Sequence, residues 1–202
     1  MPLLYHNNNS ISNVTSFSQV PSGSPVLLST ATASASSSIS FTSGIDSTYD
    51  IYQFEFINIH PSVDSANFNF NLSTDNGSNY NVTKTTTFVQ AYHAESDSGA
   101  GVIYDAGKDL SQSTADQIID YGLAIDNDAN SSGTFHLFNP SSSVYVKHFM
   151  SRCSDNNGSD FAISSIVAGY GNTTSPVNAI IFRMSSGNID AGTIKMYGIK
   201  AW

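Results

Sequence analysis

An all-β, two-sheet antiparallel jelly-roll sandwich with an extended N-terminal arm is the fold that this 202-residue sequence predicts. Three observations carry that expectation. Most of the chain is cut into short runs of alternating apolar and polar residues, each closed by Gly, Pro, Asn, Asp or Ser, which is the period of a half-buried strand. The run IYQFEFINIHP, Ile51 to Pro61, sends Tyr52, Phe54 and Phe56 to one face and then changes phase, so that Ile57 and Ile59 take the odd positions. A one-residue phase change marks a β-bulge or a strand passing from one sheet to another. The composition completes the picture. Hydrophobic residues make up 40%, with 12 Phe and 10 Tyr to build a core, whereas charged residues make up only 11%. An average soluble protein carries roughly 25% charged residues.

The elements follow in chain order. Residues 1–24 read as an extended docking arm, with an Asn run, prolines on both sides of Gly23 and no sustained period. Leu3, Leu4 and Tyr5 form its apolar cluster and are its candidate docking residues. Residues 25–202 read as the jelly-roll domain. In it VLLST and SISFTSG flank the Ser/Ala tract Thr30 to Ser38, which suits either a linker or a thin edge strand. FNFNL places Phe68, Phe70 and Leu72 on one face, and TDNGSN turns at Gly77. YNVTKTTTFVQAYH is long enough to cross a sheet. Glu95 to Tyr121 is the longest irregular excursion; it reads as a surface loop in which Asp109, Leu110, Ile118 and Ile119 have the spacing of a helical turn or two. A hairpin follows, with Phe135 and Leu137 alternating, NPSS turning, and Val144 to Met150 returning. FAISSIVAGYGNTT, AIIFRM and the segment carrying Ile194 and Met196 supply the last strands. About eight strands of ordinary length are expected. No internal repeat is present.

Charge narrows the partners. The net charge is −9 and the pI about 4.6, from 16 acidic residues against 7 basic ones. There is no basic run to grip a nucleic-acid backbone or an anionic membrane, and no apolar run long enough to insert as a membrane-spanning helix. The lone Cys153 rules out an internal disulfide framework. The opening MPLLYHNNNS has neither the basic start nor the apolar run of a signal peptide, so synthesis in a cytoplasm is expected. The Asn-x-Ser/Thr sequons are what a chain this rich in Asn, Ser and Thr produces by chance.

The residues that carry chemistry are scattered. Glu55 and His60 sit at odd and even strand positions and so face opposite sides, which separates them for acid–base work. His6, His60, His93, His136 and His148 form no H-x-H or H-x₃-H pair, and with one Cys they give no zinc motif. Two loops, AIDNDANSSG and SDNNGSD, carry oxygen ligands at short spacing in the manner of a hard-cation site. Neither completes a calcium loop, and both read as polar turns. Asp126, Asp128, Asp155 and Asp160 are the residues a cation would meet there. Cys153, beside Arg152, lacks a matched base and reads as a structural thiol. No nucleophile elbow, P-loop or dinucleotide fingerprint occurs, so no catalytic residue and no cofactor are expected.

Four segments carry a resemblance: FTSGIDSTYDIYQFEFINIHP, NYNVTKTTTF, LFNPSSSVYVKHFM and AGYGNTTSPVNAIIFRMSSGNIDAGTIKMYGIK. Together they resemble a family of small structural proteins of marine tailed phages, cyanophages especially, over roughly residues 26–200. The resemblance implies a non-enzymatic virion protein, assembled in the bacterial host cytoplasm and displayed on the particle. Capsid decoration or cement is the expected role, and a tail fibre or tip protein recognising a host surface glycan is the alternative, with Tyr92 to Tyr104 as its contact loop. A depolymerase, the third class, would need a carboxylate constellation. Other capsid or tail proteins are the implied partners, with a homo-oligomer, a trimer by preference. A surface so poor in charge also suits high ionic strength, where the Debye length falls to about 3 Å at 1 M and short-range packing must do the work of docking.

Overall fold

The computed structural model describes residues 24–200. Leu3, Leu4 and Tyr5 of the expected docking cluster lie outside the described residues, as does all of the arm but Ser24. The described chain is all-β and antiparallel. Its strands are β1 (Val26–Thr32), β2 (Ile39–Phe41), β3 (Ile51–Pro61), β4 (Ala66–Ser73), β5 (Lys84–Ala94), β6 (Ala100–Tyr104), β7 (Gln117–Leu123), β8 (Ser131–Phe138), β9 (Lys147–Asn157), β10 (Phe161–Gly171), β11 (Ala179–Met184) and β12 (Ile189–Ile199).

Nine of them form one nearly closed, barrel-like path, β1-β12-β3-β8-β9-β7-β4-β11-β2. The path turns its corner between β9 and β7 through a single residue pair, Leu123 with Asn157. Beyond that corner β9 stays paired with β10 over its whole length, and β10 with β5, which carries β6 at the outer edge. The sequence leads one to expect two separate sheets, whereas the hydrogen-bonded network is continuous. The corner pair accounts for the difference, because the ends of β7 and β9 approach closely enough there to bond.

The core is aromatic. Phe182 on β11 lies 5.1–6.4 Å, centroid to centroid, from Phe41, Phe54, Phe56, Phe68 and Phe135, mostly edge to face. Phe70 on β4 meets Phe135 and Phe149 across the interior at 4.6 and 4.9 Å. Such offset contacts stabilise by about 0.5–1.5 kcal/mol each beyond the burial of area.

The phase change in β3 is a bulge. Tyr52, Phe54 and Phe56 point inward, the register with β8 slips between Phe56 and Ile59, and Asn58 takes a left-handed φ of 53°. Ile57 turns out to solvent and Ile59 returns to the core. β3 nonetheless stays between β12 and β8 throughout, so the chain leaves this part of the wall in the turn after Pro61 and not at the bulge. The segment Glu95 to Tyr121 also departs from expectation. It holds β6 and most of β7, and Ile118 and Ile119 lie in β7 and not in a helix. Adjacent β-branched residues favour a pleated strand, where their χ1 restriction costs least. Leu110 is irregular, its carbonyl accepting the Thr86 amide. In the Ser/Ala tract the edge-strand reading holds only for Thr30–Thr32, which end β1 beside β12. Ala33 to Ser38 is irregular, with Ala35 at a left-handed φ of 49° and a single bridge from Ser36 to Ile189.

Candidate functional site

Strict alternation in β9 decides what enters the interior. Lys147, Phe149, Ser151, Cys153 and Asp155 all point inward. Asp155 therefore reaches the core by parity alone. Across the ladders Ser131 of β8 pairs with Asp155, and Ser165 of β10 pairs with Cys153. Asp120 of β7 completes the group, fully buried at 0% exposure. Its two carboxylate oxygens are each supplied with a hydroxyl donor, Ser131 Oγ to Oδ2 at 2.5 Å and Ser165 Oγ to Oδ1 at 2.7 Å. Asp155, 5% exposed, receives no hydroxyl or amide donor on either carboxyl oxygen.

Burial pushes both carboxyls up, and the neighbouring Asp120 charge helps to take Asp155 to about 9. Two carboxylates cannot ionise together in so dry a place. Serine hydroxyls serve both oxygens of Asp120 and favour its ionised form, so Asp155 is the member of the pair that burial keeps protonated. The thiol of Cys153 is pushed well above its ordinary value by burial and is inert as a nucleophile.

A second polar cluster is built from opposite charges. The buried Lys84 Nζ donates to Asn71 Oδ1 at 2.6 Å and to the Val82 carbonyl at 2.8 Å. Asn71 Nδ2 donates to Asp116 Oδ1 at 2.9 Å and to the Thr114 carbonyl at 3.0 Å. Arg183 grips Asp116 with two bonds, Nε to Oδ2 at 2.5 Å and Nη2 to Oδ1 at 2.8 Å. Burial lowers Lys84 to about 8, opposed by the charge of Asp116. Burial acts to raise Asp116, but the Arg183 and Asn71 bonds outweigh it and hold the carboxyl below its usual range. Lys147 is held differently, donating to the carbonyls of Tyr145 at 2.7 Å and Thr173 at 3.2 Å, with its affinity for the proton lowered by burial.

The surface offers an open polar cleft of about 360 Å³ between the β3 bulge and the loop before β8, lined by Asn58, His60, Asp128, Asn130 and Asp190. His60 Nε2 lies 3.3 Å from the Asp126 carbonyl oxygen, and Nδ1 lies 3.9 Å from Asp190. The four candidate cation ligands are not brought together. Asp128 lines the cleft, Asp126 presents its carbonyl beside it, Asp155 is in the core, and Asp160 is exposed in the β9–β10 turn. Among the described residues no group of three or more His, Cys, Asp or Glu side chains has metal-binding geometry. Glu55 keeps to the outer face, opposite Thr134 and Lys195 and bonded by Gln53. The Asp120–Asp155 pair and the buried lysines went unnoticed in the sequence. The inward parity of Phe149, Ser151 and Cys153 is the signal that points to Asp155; nothing comparable marks Asp120. Comparison with known proteins gives no match to a family model, to a curated protein or to a solved structure.

Proposed function

We propose that the chain is a non-enzymatic structural protein of a phage particle, a jelly roll displayed on the particle surface as capsid decoration or cement. The order of strand pairing is the observation that carries the architectural half of this reading. β1, β12, β3 and β8 neighbour one another in that order, and β2, β11, β4 and β7 do so in theirs. Those eight strands, taken along the chain, alternate between the two sets except at β4 and β7, as a jelly roll requires. The hairpins β5–β6 and β9–β10 are then insertions that widen the first set. Since fold alone does not fix function, the placement on a virion rests on the four segments that resemble phage structural proteins.

The interior chemistry favours display over catalysis. Asp120 and Asp155 are apposed carboxyls, but they are sealed in the core, where no substrate reaches them. In this reading the arm, residues 1–24 with Leu3, Leu4 and Tyr5, docks on other virion proteins. Removing residues 1–20 is expected to abolish attachment to particles while the β domain stays folded by circular dichroism. Attachment that survives the truncation would overturn the docking role. The polar cleft around His60 and Asp128 favours one second reading, a tail fibre or tip protein that meets a host glycan there. Specific binding on a glycan array, lost in Asp128→Ala, would establish it.

A further inference from the structure

We infer that the outer edge of β6 is a self-association edge, pairing antiparallel with β6 of a second copy about a two-fold axis through Val102. The inference begins with the four strand edges of the described residues. β1 carries a bulge between Leu27 and Ser29, β2 has only three residues, and β7 is slipped in register against β4 and bonded to β9 at the corner. Short, bulged or covered edges are the usual protection against unwanted pairing. β6 has none of these. Its sequence AGVIY holds no charge and no proline, its ladder with β5 is regular over all five residues, and Val102 and Tyr104 are 72% and 58% exposed.

The hydrogen-bond phase shows which groups are free. The Ala94 amide bonds the Gly99 carbonyl and the Asp105 amide bonds the Phe88 carbonyl. In an antiparallel ladder the bonded positions recur every second residue, so Gly101 and Ile103 also turn their amides and carbonyls to β5. The amides and carbonyls of Ala100, Val102 and Tyr104 therefore aim outward.

A two-fold axis at Val102 fits this arrangement in every position. It sets Val102 against Val102 of the second copy, and Ala100 against Tyr104 in both directions. Those three positions are the ones with outward groups, so all six amides and carbonyls find partners. The side chains match as well: alanine faces tyrosine and Gly101 faces Ile103, so on either side of the central valine pair a large residue meets a small one. The contact is isologous, as two-fold interfaces must be. Each copy carries a net charge of −9, and an uncharged strand is where two such copies can approach. Five residues bury less than the roughly 800 Å² per partner of a standard interface, so the association is expected to be weak and concentration-dependent. It is a two-fold contact, distinct from the trimer favoured on sequence grounds, and it stands whether or not the virion reading holds.

The full 202-residue chain tests it. Sedimentation velocity over a rising protein concentration is expected to show a monomer–dimer equilibrium that Val102→Lys abolishes and Leu27→Lys, on the β1 edge, leaves unchanged. Mild oxidation of Val102→Cys is expected to give a disulfide between two copies at position 102, since only Cα atoms closer than about 7 Å can be bridged. The native Cys153 is buried and does not compete. A chain that stays monomeric throughout would overturn the inference. So would a dimer that survives Val102→Lys and gives no cross-link at position 102, because its contact would then lie elsewhere.

Discussion

The two buried polar clusters of this protein solve the same problem by opposite means. Around Lys84 and Asp116 the chain gathers unlike charges, with acceptor oxygens around the buried ammonium and amide and guanidinium donors around the partly buried carboxylate, so that each ion is satisfied. Around Asp120 and Asp155 it buries like groups, and a proton takes the place of the missing cation. The first cluster is stabilised by electrostatic pairing that persists across the neutral range. The second depends on keeping that proton, and so on pH. The contrast shows that a core poor in charged residues can still be strongly sensitive to pH, because the sensitivity lies in where a charge is buried and not in how many there are.

The sharpest way to separate the clusters is the pH dependence of unfolding. In the unfolded chain an aspartate titrates near 3.9, whereas Asp155 in the fold is raised to about 9. Between those values the folded state binds a proton that the unfolded state does not, so stability is fullest at the acid end and falls as pH rises. Denaturant titrations are expected to show a loss of up to about 1.4 kcal/mol per pH unit from pH 5 to 8. Asp155→Asn, which is neutral at every pH, should remove that slope. Lys84 works in the other direction: its value is lowered to about 8, so the unfolded chain binds the extra proton above that pH and stability recovers from pH 9 towards 10.5. Lys84→Met is expected to abolish the recovery.

Breaking the ion-paired cluster comes next in size. Asp116→Ala leaves the partly exposed Arg183 guanidinium and the buried Lys84 without a carboxylate, and should cost about 2 kcal/mol at pH 7 in equilibrium unfolding, less than a fully buried pair because water screens Arg183. Ser165→Ala takes one hydroxyl donor from Asp120 and should cost about 1–2 kcal/mol, with a pH-dependent loss that runs on to higher pH as its distinguishing sign. The smallest effect belongs to the surface loops. A chelator should leave the melting temperature unchanged, because Asp126, Asp128, Asp155 and Asp160 do not converge. A drop on adding EDTA would place a cation in one of these loops.

What the sequence made legible follows from where polar and apolar residues keep to separate faces. In β3 the inward Tyr52, Phe54 and Phe56 alternate with Gln53 and Glu55, and both the strand and its bulge were readable. In β4 the same alternation misled. Phe68, Phe70 and Leu72 are in the core as expected, but Asn69 and Asn71 are buried too, because the segment before β7 covers the outer face and Asn71 bonds Thr114 and Asp116. β7 was missed for the converse reason. Its inward position 120 holds a carboxyl, and Gly122 takes a left-handed φ of 74°, so the strand carries both a buried charge and a residue typical of turns. The partners that make such a residue tolerable, Ser131 and Ser165, lie on distant strands that no local pattern connects to it.

The Asp120–Asp155 pair is sealed in the core, and in the other cluster the partly exposed Asp116 and Arg183 are already bonded to one another, so the proposed role lies at the surface and in assembly. The most direct test is the copy number of this chain in purified particles, measured by quantitative mass spectrometry against the major capsid protein. A number comparable to that of the capsid protein is the result expected of a decoration protein. A few copies per particle would contradict decoration and move the chain to a tail appendage, and absence from the particle would contradict the virion reading altogether.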